Sequence, residues 1–135
     1  MNTDEKKLLL IDDSNDLLEV LKIFFNQKGY TVTTTFNGSG IHSLINDFKP
    51  DVLLMDVLLN GQDGRQICRE LRSSADTKHL GIIITSASPD NLKNYSMYGA
   101  DDCIEKPFSL DALQQKIESV LSWTPIRKKA HLAMH

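Results

Sequence analysis

The stretch DVLLMDVLLNGQDG, residues 51–64, decides how the rest of the chain is read. An apolar run from Val52 to Met55 ends abruptly in a single acid, Asp56. Short apolar runs bounded by turn signals suit strands buried on both faces, as in a parallel sheet. A carboxylate at the tip of such a strand loses solvation, which is costly unless a partner compensates. Beyond it, Gly61 and Gly64 precede the next helix. Asp63 and Gln66 then have the spacing of a capping box, opening a helix from about Arg65 to Leu71 with Ile67 and Leu71 inward.

Working outward, the same strand–helix unit recurs. Further strands are expected at Leu8 to Ile11, Tyr30 to Thr35, Ile82 to Ile84 and, more weakly, Cys103-Ile104. Helical spacing groups Leu17, Leu21, Phe24 and Phe25 on one face, then Ile41, Leu44, Ile45 and Phe48, then Leu110, Leu113, Ile117, Val120 and Leu121. A further helix from Asp90 to Tyr98 is short and weakly patterned. Gly29, Lys49-Pro50 and Gly99 separate the segments, with Gly29 placed as a helix-terminating glycine. Strand then helix, five times over, predicts an α/β fold with right-handed crossovers and one parallel sheet. One domain is expected over residues 1–123. From Thr124 to His135 the periodicity stops, and a flexible C-terminal tail is expected there.

Bulk properties narrow the function classes. A chain of 135 residues is long enough for one domain with a real core. The net charge of −3 argues against direct nucleic-acid binding, which selects a basic face. Cys68 and Cys103 have no paired spacing, which fits a reducing compartment better than a disulfide scaffold. The charged start MNTDEKK and the short run after it suit neither a signal peptide nor a membrane span. A cytoplasmic protein without membrane insertion is expected.

In an open parallel sheet the functional crevice lies beyond the carboxyl ends of the strands. The first strand ends in Asp12-Asp13, the third in Asp56, the fourth in Thr85-Ser86-Ala87, and the fifth in Glu105-Lys106-Pro107. Each piece alone has an ordinary reading: a helix cap for the Asp pair, turn chemistry for the serine, a strand stop for Lys-Pro. Together they have a chemical logic. Three neighbouring carboxylates repel one another unless a cation intervenes. Mg²⁺ suits the set, because it takes one or two carboxylates, keeps waters and accepts phosphate oxygens. His42, His79, His131 and His135 are scattered and read as surface residues, so a soft-metal site is disfavoured. Lys106 can pair with a carboxylate at rest and with a phosphoryl oxygen later. Ser86 can donate to the same oxygens, and the small Ala87 lets backbone approach. These are the parts for making an aspartyl phosphate on Asp56.

With those residues in place, the chain resembles the receiver domain of two-component response regulators over residues 6 to about 122. The resemblance rests on LLLIDDSND, DVLLMDV, NGQDG, IIITSAS and GADDCIEKPF in that order. It implies a flavodoxin-like, doubly wound five-stranded parallel sheet of order 2-1-3-4-5 with five helices. It further implies Asp56 as phosphoacceptor, with Asp13 ligating Mg²⁺ directly, Asp12 acting largely through water, and the backbone carbonyl of Leu58 as a further ligand. Ser86 takes the place of the switch hydroxyl, with Thr85 as its neighbour. Lys106 takes the place of the family's lysine, and the bond to Pro107 is often cis in relatives. The implied partners are a sensor histidine kinase or histidine phosphotransfer protein, and a downstream protein target. The implied role is signalling, with only intrinsic phosphotransfer and autodephosphorylation.

Three positions depart from the family pattern. Asn60 stands where relatives commonly carry proline, which predicts a looser loop after Asp56. Leu58 is apolar where relatives, there and at the place of Ser88, tune phosphoryl hydrolysis; exclusion of attacking water and a longer phosphoryl lifetime are expected. Cys103 occupies the place of a switch Tyr or Phe, so the aromatic half of that switch is missing. Tyr95 and Tyr98 read as packing and surface contacts, and Cys103 as an apolar residue rather than a redox sensor. An aspartate-based phosphatase of the haloacid dehalogenase type would need a second Asp where Leu58 stands. A receiver that no longer accepts phosphate would lack an acid or the lysine, and neither is missing.

Overall fold

The computed structural model describes residues 5–124 and residue 127. Five strands, β1 (Lys6–Ile11), β2 (Tyr30–Thr35), β3 (Val52–Asp56), β6 (Gly81–Ser86) and β7 (Asp102–Glu105), form one sheet in the order β2-β1-β3-β6-β7. Every pairing in it is parallel. Between β3 and the next helix, β4 (Leu58–Leu59) and β5 (Gln62–Asp63) make a small antiparallel hairpin. Four α-helices cover the sheet: α1 (Asn15–Gln27), α2 (Ile41–Phe48), α3 (Gly64–Ser73) and α4 (Leu110–Leu121).

The strand sequences dictate the layers. Alternate residues of a strand point to opposite faces. Leu8, Leu10, Val52, Leu54 and Ile83 pack on one side with Leu21 and Phe25 of α1 and Leu113, Ile117 and Val120 of α4. Leu9, Ile11, Leu53, Met55, Ile82 and Ile84 pack on the other with α2 and α3. All five residues of β3 are buried, as the continuous apolar run requires. The result is the doubly wound, flavodoxin-like architecture of order 2-1-3-4-5 expected from the sequence.

One element differs. The stretch expected as a helix from Asp90 to Tyr98 forms two single 3₁₀ turns, Pro89–Leu92 and Tyr95–Tyr98, so the described residues form four α-helices rather than five. Asn94 between them has φ 57°, in the left-handed region, where an α-helix cannot continue. Leu92 is the buried residue of the pair, so no apolar stripe pays for a continuous helix. The capping box is also only half made. Asp63 accepts from the Arg65 N–H at 2.9 Å, but the Gln66 amide donates forward to Glu70 rather than back to the cap.

The packed body extends past residue 123. Thr124 is buried, and Arg127 binds Asp101 at 2.7 Å. The other residues of the expected tail, His131 and His135 among them, lie outside the described residues. Among the described residues no helix is long and apolar enough to cross a membrane.

Candidate functional site

The site is built where β1, β3, β6 and β7 end side by side. The register sets Ile11 beside Met55, so Asp12 and Asp56 leave adjacent strands together. Asp56 pairs with Thr85 on its other side, which brings Ser86 to the same edge. Oxygens of Asp12, Asp13 and Asp56 all lie within 4.8 Å of one another. Asp12 and Asp56 are buried, at 4% and 6% exposure, while Asp13 faces solvent.

Lys106 lies between the two buried acids. Its Nζ donates to Asp12 Oδ2 at 2.6 Å and to Asp56 Oδ2 at 2.9 Å. The remaining oxygens turn to the backbone: Ser14 N–H donates to Asp12 Oδ1 at 2.9 Å, and Leu58 N–H to Asp56 Oδ1 at 3.0 Å. Burial pushes the Asp56 carboxyl above its usual range; Lys106 and the Leu58 N–H pull it down without cancelling that effect, and Asp12 adds to the rise. For Lys106, burial favours the neutral amine, but hydrogen bonds to Asp12 and Asp56 prevail and raise the ammonium above its ordinary value. The backbone of Lys106 is tied to β6 by its N–H to the Ser86 carbonyl at 2.9 Å, and the Lys106–Pro107 peptide is cis.

Charge and donor chemistry together test the metal. Three carboxylates against one ammonium leave a deficit of two positive charges, which one divalent cation would balance. Every side-chain donor is a hard carboxylate oxygen, the set Mg²⁺ prefers and Zn²⁺ sites rarely use alone. The residues therefore fit Mg²⁺.

The surroundings explain the remaining positions. Asn60 and Gly61, the latter at φ 71°, form the two-residue turn of the β4–β5 hairpin, so the loop after Asp56 is closed by strand pairing. Leu58 stands on that hairpin with 58% of its surface exposed. Gly64 matters for a steric reason: a Cβ there would lie 2.3 Å from the Asp56 carbonyl, so only glycine lets α3 start against the end of β3. Ala87 is exposed at the rim, Ser86 fully buried. Cys103 is half-buried, and burial and Asp102 raise its thiol. Tyr98 lies under the guanidinium groups of Arg65 and Arg69, and Tyr95 packs on the core. His42 is exposed and His79 half-buried, and neither belongs to the acidic cluster. Sequence reasoning missed Asn91, whose side chain reaches Ser86 Oγ at 3.2 Å. It lies in the weakly patterned segment, and no spacing rule points to it.

A family model described as the response regulator receiver domain matches residues 8–118. A putative response regulator from Chloroflexus aurantiacus is similar at 29% identity and a TM-score of 0.82, covering 88% of this chain and 99% of that one. The signal receiver domain of a signal transduction histidine kinase from Syntrophus aciditrophicus is 28% identical, with a TM-score of 0.78 over 87% and 90% of the two chains. A two-component response regulator from Clostridium difficile is 25% identical, also with a TM-score of 0.78, over 87% and 97%. The chain belongs to the response regulator receiver domain family of two-component signalling.

Proposed function

We propose that this chain accepts a phosphoryl group on Asp56 in a Mg²⁺-dependent phosphorelay and so switches a partner-binding surface. The observation that carries the reading is Lys106 Nζ bridging Asp12 and Asp56 beside a third carboxylate, a cluster short of positive charge. The donor is the phosphohistidine of a sensor histidine kinase or a histidine phosphotransfer protein. An Asp56 oxygen attacks phosphorus, the P–N bond breaks, and its electron pair returns to the imidazole, which takes a proton from solvent. Later, water attacks the same phosphorus, the P–O bond to Asp56 breaks, inorganic phosphate leaves, and the carboxylate is regenerated.

Asp12, Asp13 and Asp56, with the Leu58 carbonyl, would hold Mg²⁺. When bound, the ion offsets charge on the transferring oxygens. Lys106 supplies a second cation to those oxygens, and Ser86 a hydroxyl donor. The added phosphoryl brings negative charge and three acceptors. Ser86 is drawn to it, the loop through Ala87 follows, and the change reaches the face formed by residues 89–98, β7 and α4. That face, where Cys103 replaces the usual ring, would meet the downstream protein target. The shift is one of populations, worth roughly 1–3 kcal/mol. Two free cysteines fit action in the cytoplasm.

The test is exposure to acetyl phosphate with Mg²⁺, read by intact mass. The native chain should gain one labile phosphoryl adduct, and Asp56→Asn none. A labile adduct on the variant would sink the assignment.

A further inference from the structure

Ser86 is held at rest by a residue outside the acidic cluster. Its Oγ accepts two hydrogen bonds, from the Ser88 N–H at 3.1 Å and from Asn91 Nδ2 at 3.2 Å. A hydroxyl has two acceptor lone pairs and one hydrogen to give, so both lone pairs are engaged. The Ser88 contact is a local turn. The Asn91 contact spans five residues and ties the end of β6 to the first 3₁₀ turn. That turn is itself anchored: Asn91 N–H donates to the Ser88 carbonyl at 3.1 Å, and Leu92 is buried in the core. Immediately after it the chain becomes extended at Lys93 and left-handed at Asn94, so the segment breaks where its restraint on Ser86 ends.

We propose that Asn91 is a positioning residue that latches Ser86 in its resting orientation and thereby sets how strongly the site must bind a phosphoryl group before it switches. The inference rests on the phosphoacceptor reading of Asp56. A phosphoryl group at Asp56 draws the Ser86 hydroxyl toward it, and Asn91 Nδ2 then loses its acceptor. A ligand shifts an equilibrium only by its differential interaction with the two states. Part of the phosphoryl interaction is therefore spent on releasing the latch, and removing the latch returns that part to binding.

The experiment is calorimetric titration of the full chain with beryllofluoride, a phosphoryl mimic, in saturating Mg²⁺. Asn91→Ala should bind about fivefold tighter, the equivalent of one net hydrogen bond of ~1 kcal/mol. The same substitution placed on Ser86→Ala should change affinity by less than about twofold, because there is no hydroxyl left to release. That second arm separates a latch from general loosening of the 89–98 segment, which would persist without the hydroxyl. Unchanged or weaker binding by Asn91→Ala overturns the latch and leaves the phosphoacceptor reading standing, as does an effect that survives Ser86→Ala. No binding by the native chain overturns both.

Discussion

Two charge clusters sit at opposite ends of the sheet, and they are balanced in opposite ways. At the amino end, Asp101 accepts from Ile82 N–H at 2.9 Å, Arg72 Nη2 at 3.2 Å and Arg127 Nη2 at 2.7 Å. The other guanidinium donors go to the carbonyls of Gly99, Lys78 and Leu80. Two cations share one acid, and their surplus is taken up by backbone dipoles. At the carboxyl end, three acids share one ammonium. Burial pulls the Arg72 guanidinium down, with Asp101 restoring part of it, and pushes the Asp56 carboxyl up. The first cluster is closed on itself and joins α3, β6, β7 and the chain beyond α4. The second keeps a deficit of positive charge. A buried charge is thus weak evidence of function until the donors and acceptors around it are counted.

The largest expected effect is at the open cluster. Asp56→Asn should abolish phosphoryl uptake, as measured by intact mass, yet make the ligand-free protein melt higher. The sign follows from the raised carboxyl. The native fold binds the Asp56 proton more tightly than the unfolded chain, so ionising Asp56 costs stability as pH rises through its folded value. The gap between variant and native melting temperatures should therefore open from acid toward neutral pH and close again below about 3.8, the ordinary Asp value. A variant that melts lower at neutral pH without divalent ions would show that the acid stabilises the fold, and the contrast would fail.

Next is the closed cluster. Asp101→Asn leaves two guanidinium groups without their carboxylate. It should lower unfolding stability by about 3 kcal/mol in urea titration, the low end for unpairing a buried ion pair, because the groups are partly solvated. Phosphoryl uptake by the folded protein should not change. Loss of uptake with intact stability would reverse the roles given to the two ends.

Metal addition sharpens the same contrast. Mg²⁺ at a hundredfold its dissociation constant should stabilise the native chain by about 2.7 kcal/mol, read as a concentration-dependent rise in melting temperature. Asp13→Asn should lose most of that rise, whereas Asp101→Asn should keep it on a lower baseline. No rise in the native chain would remove the metal from the site.

The two ends were not equally legible in the sequence. Strand tips reveal themselves because an apolar run that stops at an acid is a local event: Ile11 before Asp12 and Met55 before Asp56 mark the pocket without any structure. The lysine follows from chain order and topology, since parallel strands deliver their ends to one edge. The amino-end cluster depends on Arg72, Asp101 and Arg127, whose partners lie 29 and 26 residues apart and mostly on backbone carbonyls. No periodicity encodes such contacts, which is why Arg127 reads as part of a featureless tail. The missing helix from Asp90 to Tyr98 has a different cause. Propensity and spacing there are too weak to decide, and the left-handed backbone at the exposed Asn94 breaks the segment into two turns. Asn91, seated in that segment, was hidden with it.

The smallest expected effect concerns the rim of the open cluster. Leu58 contributes to the site twice, through a backbone N–H that holds Asp56 Oδ1 and a side chain that stands 58% exposed beside it. Leu58→Asn keeps the first and removes the second. Uptake from acetyl phosphate and stabilisation by Mg²⁺ should therefore stay as they are, because both depend on Asp56 and its backbone donor. Loss of the adduct should quicken, since a polar side chain can hold a water near phosphorus where leucine cannot. The gain should stay below about tenfold, or ~1.4 kcal/mol of barrier, because a side chain more than half exposed shields only one approach to the phosphoryl group. A time course of adduct decay by intact mass measures it. An unchanged decay rate would mean that water reaches the phosphoryl group by another path, and that the open cluster is open to solvent as well as to charge.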